Sequence, residues 1–411
     1  MLASLVLAAS GLVTAQPAAA RTVPKGAAWY GIYQLQKAWK VSEGAGVTVA
    51  VIDSRVNTAV GDLQGQTVTP IELPGSDSAY ETLKGYSHGT DMAVKIAGSG
   101  AGGGMVGVAP RAKILPINVG AGGDQTVSDL LPSAIRAAVS RGARVINVSL
   151  GSESACNPAS EGAAIRYAYQ HGVIVVVSAG DDPGAVDNPA NCPGALAIGG
   201  VDAAGKRWTK TPSGPEIDFV SQAYDLVNEQ LNQTLGGPYP GNSGTSSSAA
   251  FVSGMFALLI SHFPHDSMRR IVARAIYWTH TGRGTAGIDK RIDNYLGYGE
   301  LLPYQTLTQD VPANAPNPIF DAWDRDFGSA RSSSGSSSHP SASPSASPTD
   351  GASSTASASG GSGGGISPAA VAVLVVVVVV LAVGVVIIVV RRRRPRATSG
   401  LPPAPPPGYG R

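Results

Sequence analysis

Between residues 46 and 202 the chain alternates in blocks rather than residue by residue. Gly46–Asp53 (GVTVAVID), Ala112–Gly120 (AKILPINVG), Ala143–Gly151 (ARVINVSLG), Gly172–Gly180 (GVIVVVSAG) and Gly194–Asp202 (GALAIGGVD) are short, almost continuously apolar runs. Runs of this kind are expected of strands buried on both faces, as in a parallel sheet covered by helices. Between them Thr126–Ala143 and Ser160–Gly172 are Ala-rich and helical in pattern, each stopping at a Gly. The alternation predicts an α/β fold: a three-layer, doubly wound, mainly parallel sheet with helices on both faces. Functional groups in such sheets gather at the carboxyl ends of strands, where Asp53 and Asp181 both stand.

The two ends of the chain follow other patterns. Residues 1–20 have a short apolar core, Leu2–Val13, followed by Ala18-Ala19-Ala20, and read as a secretory signal peptide, although no Lys or Arg precedes the apolar run. A buried N-terminal helix is the other reading. Residues 21–312 hold the α/β pattern and are taken as one domain. Residues 313–365 are taken as a stalk; Gly328–Gly365 is almost all Ser, Gly, Pro and Ala and cannot bury a core. Residues 366–390 are taken as one transmembrane helix, because Ala369–Val390 is apolar without interruption and about 20 residues cross a bilayer. The basic, Pro-rich tail 391–411 opens with Arg391–Arg394 and would stay cytoplasmic, leaving the domain on the extracytoplasmic side of the cell membrane.

Charge adds little to this picture. The formal net charge of +2 includes the Arg block beside the span, without which the chain is slightly acidic, so no nucleic-acid partner is expected. No acidic loop has a convincing spacing for calcium ligands, and neither metal nor cofactor is implied. Cys156 and Cys192 are the two cysteines. In an exported domain one disulfide is the simplest reading and a pair of free thiols the other.

Three places carry candidate chemistry. Asp53 closes the first apolar run, His88 opens the apolar segment YSHGTDMAVKIAG, and Ser246 opens the helical run GTSSSAAFVSGMFALLI. Singly, each has an ordinary explanation as a turn, a cap or an N-cap. Together they give the order Asp, His, Ser, each at the lip of a buried element. A Ser hydroxyl becomes a useful nucleophile when a base takes its proton, His is that base near neutral pH, and a carboxylate orients the imidazole.

These segments resemble the motifs of the subtilisin-like serine proteases (peptidase S8): VTVAVIDSRV the Asp motif, HGTDMAVKIAG the His motif and GTSSSAAFVSG the Ser motif, with GVAPRAKILPINV and VINVSLG between them in matching order. The resemblance runs from about Trp29 to Leu307, and the layout is most like the mycosins, membrane-anchored proteases of type VII secretion. It implies a subtilisin-like fold, Ser246 as nucleophile with Ser243, Ser247 and Ser248 as rivals, His88 as general base and acid, and Asp53 as orienter. It also implies Ser149-Leu150-Gly151 as the edge that pairs with an extended exported protein or peptide substrate. With about two dozen residues between the expected cleavage site and the first strand, no separate prodomain is expected to be removed; the N-terminal segment is expected to pack on the domain.

Two departures matter. Arg55 stands where the Asp motif usually has Gly, and would alter the turn or bring a cation near Asp53. Asp181 stands where the family carries the Asn whose amide donates to the oxyanion. Three readings follow: a protonated Asp181, a substitute amide from Asn188 or Asn191, or a slow enzyme whose main work is as a scaffold in a secretion complex. A surface protease unrelated to secretion is a further reading.

Overall fold

A computed structural model describes residues 28–76, 87–101, 104–120, 129–224, 243–280, 285–286 and 291–333. The segments read as signal peptide, span and tail lie outside the described residues, as does most of the stalk. Among the described residues no helix is long and apolar enough to cross a membrane.

The strands are β1 (Thr48–Asp53), β2 (Ile71–Glu72), β3 (Lys113–Asn118), β4 (Val145–Val148), β5 (Ile174–Ser178), β6 (Ala195–Val201), β7 (Ile217–Gln222), β8 (Thr279–His280), β9 (Thr285–Ala286) and β10 (Glu300–Leu301). They form one sheet in the order β2-β3-β1-β4-β5-β6-β7-β10-β8-β9. Pairing is parallel from β2 to β10, and antiparallel where β8 joins β10 and β9. Each of the five apolar runs between residues 46 and 202 became a central strand, β1, β3, β4, β5 and β6. Val49 and Val51 point to one core, Ala50 and Ile52 to the other, so β1 has no solvent face and must be apolar throughout.

The helices divide by face. α1 (Ala28–Ile32), α2 (Leu35–Ala38), α3 (His88–Ala97), α6 (Thr245–His262), α7 (Met268–Tyr277) and α8 (Pro303–Thr308) share the core of Val49 and Val51. α4 (Leu131–Ser140) and α5 (Glu161–Gln170) share the core of Ala50 and Ile52. These are the three expected layers. β1 lies between β3 and β4, so the chain departs to opposite sides of it, and a crevice opens at its carboxyl end. α6 is buried at every residue from Ser247 to Ile260. Its fit against α3 and the segment that follows it is tight: a Cβ on Gly254 would stand 3.4 Å from Ile96 O of α3 and 2.7 Å from Val108 Cβ beyond it.

The N-terminal segment packs on the domain, as expected. Trp29 stacks on Tyr30 and contacts Phe251 of α6, while Trp39 Nε1 donates to Val108 O at 2.8 Å. One boundary needs correction. Within the segment taken as stalk from 313 onward, Pro318–Ser333 forms α9 and docks on the domain. Pro318 opens the helix, where its missing N–H is not needed, and Asn317 Oδ1 accepts the Phe320 N–H. Ile319, Phe320 and Trp323 are buried, and Arg269 bridges Asp321 and Asp324. The folded unit therefore continues past 312 through α9.

Candidate active site

Asp53 is the last residue of β1 and is buried, with its side chain 3% exposed. His88 is the first residue of α3, begun by Ser87, whose hydroxyl accepts the Thr90 N–H. His88 Nδ1 lies 2.9 Å from Asp53 Oδ1 and 3.0 Å from Oδ2. Burial pulls the imidazole pKa down, but the Asp53 charge and hydrogen bond outweigh it, and the ring is held above its ordinary value. Ser54, which no pattern singled out, completes the joint. Its N–H and hydroxyl donate to Asp53 Oδ1 at 2.7 and 3.1 Å, and its hydroxyl accepts the Gly89 N–H at 3.0 Å. Gly89 itself is required by proximity, since a Cβ there would stand 2.2 Å from Ser54 O. Arg55 does not join this group; its guanidinium pairs with Glu72 at 3.2 Å, both half exposed.

Ser246 sits in the first turn of α6, where backbone N–H groups have no intrahelical acceptor and point out of the helix. Its hydroxyl donates to Ser149 O at 3.2 Å, and Ser149 Oγ donates back to Ser246 O at 3.0 Å. Two buried polar residues stand behind this pair. Ser253 Oγ donates to Asn147 Oδ1 at 3.0 Å and Asn147 Nδ2 donates to Ser149 Oγ at 2.9 Å. The relay pins the start of α6 to the end of β4. Ser149, Leu150 and Gly151 follow directly beyond the β4–β5 ladder, which ends at Val148–Val177, and so form the free continuation of a strand beside Ser246. Of the rivals, Ser247 and Ser248 are buried, and Ser248 Oγ is spent on Ser221 O at 3.0 Å; Ser243 is exposed just before the helix.

Asp181 meets the same helix. Its Oδ1 accepts the Thr245 N–H at 2.8 Å and lies 3.0 Å from Thr245 Oγ1, an arrangement that sets a carboxylate against the positive end of α6. A Cβ on Gly244 would stand 2.8 Å from its Oδ2. The carboxyl group thus stands against Gly244 and Thr245, the two residues immediately before Ser246. Asp181 is exposed. The substitute amides are also occupied: Asn188 Nδ2 donates to Glu161 Oε1 at 2.8 Å, and Asn191 Nδ2 to Ser154 O at 3.0 Å. Cys156 and Cys192 are joined, with Cα atoms 5.2 Å apart, tying the loop after β4 to the loop after β5.

Residues 44–299 match the subtilase family, Peptidase S8. The chain belongs to that family. Among its subtilase relatives, fervidolysin of Fervidobacterium pennivorans is 32% identical over 338 residues, covering 72% of this chain and 48% of that protein. Mycosin-1 of Mycolicibacterium smegmatis is 32% identical over 346 residues, covering 69% of this chain and 73% of that protein. The chain therefore spans about half the length of the first relative and most of the second. Among solved subtilases, the MycP3 protease from the type VII (ESX-3) secretion system is 27% identical with a TM-score of 0.56, over 69% of this chain and 89% of that one. The subtilase match ends at residue 299, before α9.

Proposed function

We propose that the chain is an extracytoplasmic serine endopeptidase, held to the cell membrane by residues 366–390 and working with a type VII secretion complex. The carrying observation is the Asp53–His88 hydrogen-bonded pair at the end of β1, the strand paired with β4, whose next residue, Ser149, accepts the Ser246 hydroxyl. Ser246 attacks the scissile carbonyl, His88 takes its proton and passes it to the leaving amine, and Asp53 keeps the imidazole oriented and stabilises its cation. The Ser246 N–H faces the oxyanion from the helix start, and Ser149–Gly151 pairs with the substrate backbone. Likeness to mycosin-1 and to a protease of the ESX-3 system supports the secretion role.

A second reading, a catalytically weak scaffold of the same complex, is supported by one observation: the side chain that meets the start of α6 just before Ser246 is the Asp181 carboxylate, and the Asn188 and Asn191 amides are committed elsewhere. Labelling of the full-length protein in membranes with a fluorophosphonate separates the readings. Wild type is expected to label and Ser246→Ala to stay dark. Equal labelling of the two would sink the triad assignment, and a wild type as dark as the variant would favour the scaffold.

A further inference from the structure

Beyond Ser149 the ends of β4 and β5 become the two walls of a slot. One wall is Leu150–Gly151, the other Ala179–Gly180. The segment that closes its floor is fixed to both: Asp187 N donates to Ala179 O at 2.9 Å, and Asn188 and Ser152 exchange two backbone hydrogen bonds of 2.9 Å. Asp187 is the floor residue between them. Both walls are glycine where they meet its carboxylate. A Cβ on Gly180, whose φ is +115°, would stand 2.5 Å from Asp187 Oδ2, and one on Gly151 would stand 3.7 Å from the same atom.

The slot opens beside the nucleophile, because Ser149 O is the acceptor of the Ser246 hydroxyl and Gly180 N donates to Thr245 Oγ1 at 3.2 Å. A peptide lying along Ser149–Gly151 with its carbonyl at Ser246 has one side chain, that of the residue before the scissile bond, positioned to enter the slot. The charge there is of one sign. Glu153, Asp181 and Asp182 all act on Asp187, and residues 149–154 and 179–192 contain no Lys, Arg or His. The Asp187 carboxylate is half-buried and has no hydrogen bond or ion pair among the described residues.

We propose that Asp187 makes the cleft selective for Lys or Arg immediately before the scissile bond, the substrate cation supplying the counter-charge that the slot lacks. This rests on the protease reading above. Half-burial and the neighbouring Glu153, Asp181 and Asp182 push the Asp187 carboxyl up to about 6. The preference is therefore full at pH 8 and fades as pH falls through 6.

The test compares fluorogenic peptides that differ only in the residue before the cleaved bond (Lys, Arg, Phe, Leu, Ala, Glu), using the full-length protein in detergent. Lys and Arg are expected to exceed Phe and Leu about ten- to a hundredfold in kcat/KM, as for a charge pair screened at a half-exposed site. Asp187→Asn is expected to erase that advantage and Asp187→Glu to keep part of it. Binding of p-aminobenzamidine, read by its fluorescence, reports the slot without any chemistry and is expected to weaken tenfold or more in Asp187→Asn. Fluorophosphonate labelling is run in parallel. Loss of labelling at Ser246 would remove the protease reading itself. Labelling together with a preference for apolar residues, or with a basic preference indifferent to Asp187, would overturn this inference alone.

Discussion

Replacing Asp181 by Asn exchanges a carboxylate for an amide of the same shape. The Oδ1 atom can keep the Thr245 N–H at 2.8 Å, while the other branch changes from an acceptor to an NH₂ donor beside Ser246. One donor to a tetrahedral oxyanion is worth about 10²–10³ in kcat, or roughly 2.7–4 kcal/mol, and removal of the nearby negative charge acts in the same direction. The opposing effect falls on stability instead. The start of α6 loses an anionic partner worth about 0.3–1 kcal/mol, which lowers Tm by about 1–3 °C. The expected outcome is a kcat at least about a hundredfold higher in a slightly less stable protein. Asp181→Ala, which removes the charge without adding a donor, should gain far less. Rates normalised by active-site titration with a fluorophosphonate provide the assay. If Asp181→Asn labels at Ser246 but turns over no faster than wild type, Asp181 is not at the oxyanion and the reasoning fails.

The other predictions concern the base, the joint beneath it and a remote buried acid. Because His88 is held above the ordinary imidazole value, kcat/KM should rise with pH through a midpoint above 6.5, and Asp53→Asn should lower that midpoint and cut the rate by about 10⁴. Gly89→Ala drives a Cβ into Ser54 O, so the start of α3 must shift; both activity and Tm should fall, whereas Gly61→Ala, with open space around its Cβ, should leave activity unaltered. Burial pushes the Glu300 carboxyl up to about 7 despite hydrogen bonds from Tyr33 and Gln222. A raised carboxyl contributes stability below the unfolded value of 4.5 and loses it as pH climbs through 7, so Glu300→Gln should stabilise by up to about 3 kcal/mol at pH 8 and change little at pH 4, measured by denaturant unfolding.

The sheet could be read because strands covered on both faces are largely apolar, as Val49 to Ile52 show in four consecutive positions. Asp53 and His88 were legible as types in order, Asp53 where a buried run stops and His88 where one begins. α9 was not: Pro and Asn in VPANAPNP look like the start of a linker, and the apolar stripe of Ile319, Phe320 and Trp323 gains meaning only against Tyr169. Asn147 and Ser253 were invisible for a related reason. A lone amide in VINV and a lone hydroxyl in FVSGM look like interruptions of apolar runs, and only the fold puts them within 3.0 Å of each other. Asp187 carried no motif; its meaning comes from two glycines, Gly151 and Gly180, just beyond the ends of neighbouring strands.

The relay from Ser253 through Asn147 and Ser149 to the Ser246 carbonyl has a direction, every donor being committed to the next acceptor. It has no basic atom to spare, so nothing along it can accept the nucleophile's proton. The Ser149 carbonyl can hold the Ser246 hydroxyl but cannot remove its hydrogen. On the proposed mechanism the proton of Ser246 therefore goes to the His88 ring and not into this relay. A substitution that alters the imidazole should not be rescued by any neighbouring serine.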